Sequence, residues 1–353
     1  MANRYFAPHT AGFGPLVGRL ALRDYPFAKV MPEGDNAVLI ECETEPVALL
    51  SYCRGLFRVL GEASGGLVSA SRVLAKTARV PAARPDGGRS QGAHDAGKRH
   101  YYGLRSFVLR SFGPDDPAPI PREAKLELER LISRATGARP DSGHPEREYR
   151  LQERTDGRVL FLERINPGHP SGDSPRPGEL PRTTCRLLAE MTEPRADDVF
   201  LDPFCGYGGI VLERSLASPY RFAFAQDIDP EKVAAVKESL SGKLFEKRRK
   251  TIFPKARDAL DPAAFDSGFV TAIATDPPWG LYEGGGTDAA GAQALLGAFL
   301  GVARRVLAKD GRLVLLVSRE FDVEAQGGSF AQREAFDVLV SGKKARVIRL
   351  DRP

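Results

Sequence analysis

Residues Leu201 to Ile210 read "LDPFCGYGGI", and the fold turns on them. Val199 to Phe204, "VFLDPF", is a short apolar run of strand length. Glycines follow at 206, 208 and 209, and "IVLERSLA" then carries helical spacing. A strand that passes through glycines straight into a helix opens a parallel sheet, because a residue without Cβ lets the backbone reverse sharply and approach a ligand. The same cluster also serves ordinary tight turns, so its meaning depends on its surroundings.

Downstream, strand and helix patterns alternate. "RFAFAQDI" (Arg221 to Ile228) reads as a second strand, and Asp229 caps a helix with Pro230 at its first position and Val233, Val236 and Leu240 at helical spacing. "FVTAIATD" (Phe269 to Asp276) is another strand, Ala292 to Leu307 a helix stopped by Lys309-Asp310-Gly311, and "RLVLLVS" (Arg312 to Ser318) a further strand. The tail places two β-rich runs around Ser341-Gly342-Lys343, the pattern of a closing hairpin. This alternation predicts an α/β domain with a parallel sheet covered by helices on both faces.

Upstream, "NPGHPSGDSPRPG" (Asn166 to Gly178) is rich in Pro, Gly and Ser and reads as a linker. Before it, "NAVLIECE" and "RVLFLERI" read as strands. "PREAKLELERLISRATG" reads as an amphipathic helix burying Leu126, Leu128, Leu131 and Ile132, giving an α+β first half. The polar stretch from Ala78 to His100 reads as a surface insertion.

At 353 residues the chain has length for two or three domains. It has no run of eighteen apolar residues and its first residues lack the pattern of a secretory signal, so the expectation is a cytoplasmic protein without a membrane partner. Cys42, Cys53, Cys185 and Cys205 show no CxxC spacing and the histidines do not cluster with them, which argues against structural zinc. A net charge of +5 leans toward polyanionic partners. The sequence leaves the oligomeric state open, with a monomer favoured.

Acids at strand ends give the glycine turn its meaning. Asp227 ends the second strand, where a carboxylate can accept from both ribose hydroxyls, and Asp258 in "KARDAL" can accept from an adenine amino group. The turn lacks GxGxxG and carries Asp202, which would repel a pyrophosphate but suits a cationic amino acid group. These residues favour S-adenosylmethionine over a dinucleotide.

"TDPPWG" (Thr275 to Gly280) places Asp276 at the end of a strand facing the same cleft. An exocyclic amine on a base is a poor nucleophile because its lone pair spreads into the ring. The Asp276 carboxylate and Pro277 carbonyl can accept both N–H bonds and turn the lone pair toward a methyl group. Pro277 and Pro278 stiffen the backbone, and Trp279 can stack on an extruded base. A cytosine C5 mechanism needs a cysteine in such a motif, and position 278 is proline. Tyr282 and "EGGGTD" fit a closing loop or an ordinary one.

Together, "DPFCGYGGI", "DID" and "DPPW" resemble the cofactor, ribose and catalytic motifs of class I (Rossmann-like) methyltransferases acting on exocyclic amines. With "GELP" at Gly178 to Pro181, the chain is most similar to the THUMP-domain RNA guanine-N2 methyltransferases, which commonly carry Ser and Thr where this chain has Tyr207 and Gly209. "YFAPHTAGFGPLVGRLAL" (Tyr5 to Leu22) resembles that family's ferredoxin-like beginning, and the segments around "GLRSFVLRSFG" and "REAKLELERLISRATG" its THUMP module. The resemblance implies a ferredoxin-like region at 1–60, a THUMP-like RNA-binding region at 61–165, a linker at 166–178 and a methyltransferase domain at 179–353. It implies S-adenosylmethionine held by Asp202, Phe204, Gly206, Gly208, Asp227, Ile228, Asp258, Ala259 and Asp276, with catalysis by Asp276, Pro277, Pro278 and Trp279. It implies tRNA as substrate, and Lys98, Arg99, Arg105 and Arg110 are candidates for phosphate contacts. Guanine-N2 methylation of rRNA, adenine-N6 methylation of DNA, glutamine-N5 methylation of protein and a catalytically inactive RNA-binding protein are the competing readings.

Overall fold

In a computed structural model of the chain, the residues described are 3–82, 106–113, 117–166, 176, 178–261, 263–279, 289–323 and 330–353. They build two sheets.

The N-terminal sheet has eight strands in the order β2-β3-β1-β4-β8-β7-β5-β6. These are β1 (Asn3–Pro8), β2 (Lys29–Pro32), β3 (Ala37–Cys42), β4 (Leu56–Ser64), β5 (Ser106–Phe112), β6 (Arg139–Pro140), β7 (Arg147–Glu153) and β8 (Arg158–Asn166). Helices α1 (Gly14–Asp24), α2 (Gly66–Thr77) and α3 (Arg122–Thr136) accompany it. β4 runs through the boundary expected at 60/61, and its pairing with β8 joins the two N-terminal regions into one sheet. In α3 the period is as expected, with Leu128 and Ile132 buried and Leu131 packed beside them. Leu126 is a correction, since it is 40% exposed. Ala124, Leu128 and Ile132 stand four apart and make the inward stripe, while Leu126, two from each neighbour, points elsewhere.

The second sheet has seven strands in the order β11-β10-β9-β12-β13-β15-β14. After α4 (Arg182–Met191) come β9 (Val199–Asp202), α5 (Gly209–Ala217), β10 (Phe222–Asp227), α6 (Pro230–Ser241), β11 (Ile252–Ala256) and β12 (Val270–Thr275). They are followed by α7 (Ala289–Val306), β13 (Leu307–Ser318), β14 (Ala331–Val340) and β15 (Lys343–Asp351). β11, β10, β9, β12 and β13 are parallel, and β15 and β14 close the sheet antiparallel. The order turns outward from β9 in both directions, which puts a crevice at the carboxyl ends of β9, β10 and β12. Asp229 caps α6 as expected, accepting from the Glu231 N–H. The hairpin turn is Ser341-Gly342, with φ of 49° and 78°, the left-handed pair that a two-residue connection demands. Lys309-Asp310-Gly311 does not separate helix from strand as expected. α7 hands directly to β13, and the three residues form an irregularity inside it, with Asp310 at φ 59°.

The two sheets share one continuous apolar core, running from Tyr5, Phe13 and Leu16 to Leu187, Met191, Val338 and Val340. Polar contacts fix the seam. Thr10 Oγ1 meets Thr184 Oγ1 at 2.9 Å, Arg19 grips Glu334 with both terminal nitrogens, and Arg23 reaches Glu190 at 2.6 Å. Gly12, at φ 90°, lies so close to β14 that an added Cβ would sit 2.0 Å from the Asp337 carbonyl oxygen.

Candidate active site

The carboxyl ends of β9, β10 and β12 open onto a cavity of about 890 Å³. Phe204, Gly206, Asp227, Ile228, Asp258, Ala259, Asp276, Pro277, Pro278 and Trp279 line it, so ten of the residues singled out in the sequence meet at one place. Phe204 is braced edge-on against Phe299 of α7 at 5.2 Å, and Ile228 stands 74% exposed at the cavity wall.

The glycines divide their work. Gly206 turns at φ 52° with open space where a side chain would stand, which leaves its backbone accessible from the cavity. Its N–H is given to Asp227 Oδ2 at 2.9 Å. Gly208, between the lining residues Tyr207 and Gly209, stands at φ 82°, and a Cβ there would meet Val236 Cγ2 at 2.8 Å. Both the left-handed backbone and the close approach of α6 require glycine here. A Cβ at Gly209 would stand 2.7 Å from Cys185 Sγ, so this glycine lets α4 pack against α5.

Asp202 departs from the expectation of direct contact with a ligand. It is completely buried and does not line the cavity. Its Oδ1 accepts from Thr275 Oγ1 at 2.7 Å, while Oδ2 has no partner. Burial pushes its carboxyl up to about 8; the Thr275 hydroxyl and the Phe204 N–H oppose the rise, and the charges of Asp227 and Asp276 add to it. Asp276 behaves alike. Its Oδ1 is shut off from water without a partner, and burial lifts it to about 7 against the pull of the nearby Trp279 indole. Asp227 spends an oxygen on each of two backbone donors, Gly206 N and Asp229 N, both at 2.9 Å, and Asp258 accepts the Leu260 N–H at 2.9 Å.

Trp279 departs from expectation as well. It was expected to present its ring for stacking, yet only 4% of it is exposed. A buried indole N–H requires an acceptor. The Leu316 carbonyl, one residue beyond the last β12–β13 pair, provides it at 3.2 Å. Trp279 still contributes to the cavity lining, and its indole N–H ties the motif to β13.

Sequence reasoning missed Thr275, Tyr207, Glu179, Lys232, Cys185 and Leu295. All but Thr275 line the cavity. Lys232, in the first turn of α6, followed from the ribose acid and the helix cap; Cys185 and Leu295 come from helices distant in sequence, and nothing in the chain marked them. Cys205 also lines the cavity, and burial pushes its thiol up, consistent with a packing residue and not a nucleophile. Tyr282 and Gly280 lie outside the described residues, as do Lys98, Arg99 and Arg105. Among the described residues no group of three or more His, Cys, Asp or Glu could hold a metal ion.

A buried carboxylate with an empty acceptor position is costly unless a cation or donor completes it. Two carboxylates here have such an oxygen, Asp276 in the cavity lining and Asp202 buried beneath it, close to a glycine backbone and the strand-end acids Asp227 and Asp258. This fits a ligand carrying a positive charge and a nucleoside, as S-adenosylmethionine does. Fold and cavity define a class I methyltransferase.

The comparisons agree. The UPF0020 family, described as RMKL-like, methyltransferase domain, matches residues 173–346. A tRNA (guanine(10)-N2)-dimethyltransferase of Methanothermobacter thermautotrophicus is 29% identical over 175 residues, 49% of each chain. A "Probable tRNA (guanine(10)-N2)-dimethyltransferase" of Methanothermococcus thermolithotrophicus is 31% identical over 143 residues, 39% of this chain and 82% of that one. The match thus spans about half the length of the first of these curated relatives. Among solved structures, TrmN from Thermus thermophilus superimposes with a TM-score of 0.73 at 19% identity, covering 99% of this chain and all of that one. A predicted N6-adenine-specific DNA methylase from Listeria monocytogenes does so at 0.68 and 14%, covering 100% and 97%. These likenesses show the two-part fold. The chain belongs to the S-adenosylmethionine-dependent methyltransferases related to the tRNA guanine-N2-methyltransferases.

Proposed function

We propose that the protein transfers a methyl group from S-adenosylmethionine to the exocyclic N2 amine of a guanosine in RNA, with tRNA as the substrate, in the cytoplasm. The observation that carries this is the placement of Asp276 and Pro277 at the end of β12, lining the same cavity as Asp227 and Asp258. S-adenosylmethionine supplies an electrophilic methyl when bound. Asp227 and Asp258 hold the nucleoside end. The ionised Asp276 carboxylate and the Pro277 carbonyl accept the two amine N–H bonds, which aims the nitrogen lone pair at the methyl. As the N–C bond forms, the amine must lose a proton. Asp276, lifted by burial to about 7, is matched to take it.

The names of both archaeal relatives support tRNA and guanine N2. The module from 61 to 165 is then the THUMP-like region that grips the RNA, joined by 166–178 to the methyltransferase domain. Purified protein with tritiated cofactor, offered bulk tRNA, rRNA and duplex DNA in parallel, tests the reading. Label in tRNA recovered as N2-methylguanosine is the expected result. Label in DNA as N6-methyladenine, or in neither RNA, overturns it.

A further inference from the structure

The cations of this chain are unevenly partnered. On the N-terminal sheet Glu residues hold many of them, Arg58 by Glu45 and Glu163, Arg154 and Arg158 by Glu33, Arg150 and Arg164 by Glu148, while Arg110 and Arg139 stand exposed singly. At the outer edge of the methyltransferase sheet the unpartnered cations are gathered in one run. Residues 243–257 carry seven Lys and Arg against the single acid Glu246, a local charge of +6 in a chain whose net charge is +5. Lys243, Lys247, Arg249, Lys250 and Lys255 are exposed, and none has an acidic partner among the described residues.

An aromatic surface adjoins them. The described residues between β11 and β12 form no helix, so one face of β10 and β11 has no helical cover. Phe222 and Phe224 alternate along β10, Phe224 stacks on Phe253 of β11 at 5.3 Å, and Phe265 and Phe269 fold over them, stacked on each other at 5.9 Å. Phe253 and Phe269 remain 41% and 40% exposed. Arg221 lies over the Phe222 ring at 5.5 Å. Lys255, two residues beyond Phe253, stands on the same strand face. β11 spans about 16 Å, and the chain continues past it through Arg257 to Asp258 and Ala259 in the cavity wall.

Lysines on an edge strand also discourage unwanted sheet pairing. That accounts for Lys255, but not for the four unpartnered cations that precede the strand. We propose that the β11 edge is a track for RNA, with phosphates against the cations and bases on the exposed rings of Phe253 and Phe269, leading the strand toward the cavity. This rests on the reading of RNA as substrate.

The test compares tRNA binding, by fluorescence anisotropy at several salt concentrations, for wild type, Arg249→Glu with Lys250→Glu, and a control with Lys309→Glu and Lys344→Glu. Both control residues are exposed on the same domain. S-adenosylhomocysteine titration reports the cavity in each. The edge variant is expected to bind at least about tenfold more weakly than the control. Its slope of log affinity against log salt should fall by about 1.5 to 2, and its affinity for S-adenosylhomocysteine should hold. Phe253→Ala, which alters no charge, is expected to weaken tRNA several-fold with the slope unchanged. If wild type binds tRNA and both edge variants match the control, the track is refuted while the function stands. A wild type that does not bind RNA overturns both. Conversion of a dimer to a monomer by the edge variant, with RNA affinity intact, assigns the face to a second copy and refutes the track.

Discussion

Thr275, the last residue of β12, donates its hydroxyl to Asp202, the last residue of β9, at 2.7 Å beneath the cavity. This is the only hydrogen bond from a side chain to Asp202 among the described residues, and it ties the strand of the glycine turn to the strand of the Asp276 motif. Thr275→Val keeps the shape and removes the donor. The variant is expected to lose about 1–3 kcal/mol of stability, read by denaturant unfolding, and to weaken S-adenosylhomocysteine through the displaced turn. Unchanged stability would show that the bond carries nothing.

Asp202 and Asp276 set the pH dependence. Burial raises both in the fold, to about 8 and about 7. A carboxyl raised in this way stabilises the ligand-free protein fully below the unfolded value, and that contribution is lost as pH rises through 7 to 8. Ligand-free protein is therefore expected to melt at lower temperature at about pH 8.5 than at about pH 6. Acids held low by arginines, such as Asp198 and Glu148, lose their contribution only on the acid side of this window. A bound cation favours the ionised acids, so affinity for S-adenosylmethionine should rise from about pH 6 toward 8, until the ligand's own amino group begins to lose its proton. Calorimetry in buffers of different ionisation enthalpy measures the accompanying proton release; a pH-independent affinity without release contradicts the assignment.

At the opposite end of β9, Asp198 holds two arginines that are fully buried. Its Oδ2 accepts from Arg214 at 2.9 Å and its Oδ1 from Arg312 and, at 2.9 Å, from Thr271. Asp198→Ala strands both guanidinium groups away from water and is expected to cost about 3–5 kcal/mol. Because the site lies a strand's length from the cavity, protein that folds at low temperature should keep its affinity for S-adenosylhomocysteine. Thermal unfolding and calorimetry separate the two effects.

Trp279 distinguishes anchoring from stacking. Trp279→Phe preserves a ring but loses the bond to Leu316, and Trp279→Ala leaves a hole expected to cost about 3–5 kcal/mol. An anchoring role predicts that the Phe variant loses about 1 kcal/mol of stability and keeps KM for RNA. A rise in KM at unchanged stability would restore the stacking role.

The alternation of strands and helices in the second sheet and the gathering of Asp227, Asp258 and Asp276 were legible because strand ends and glycines are local signals, and an open parallel sheet converts them into one crevice. Four things were not legible. The depth at which Asp202 sits depends on Thr275, seventy-three residues away. The glycine requirement at 208 comes in part from Val236 on α6, and the confinement of Trp279 from a carbonyl on β13; both are packing facts with no local signature. The single N-terminal sheet was hidden because β4 pairs with β8 across about a hundred residues, and pairing of that range leaves no periodicity to read.

The central claim is that Asp276 at this cavity delivers methyl to guanine N2 in tRNA. Nucleoside mass spectrometry of tRNA from cells without the gene, complemented with wild type or with Asp276→Asn, tests it most directly. N2-methylated guanosine should be depleted in the deletion, restored by wild type and not by the variant. Unchanged N2-methylated guanosine in the deletion, or full restoration by Asp276→Asn, would contradict it.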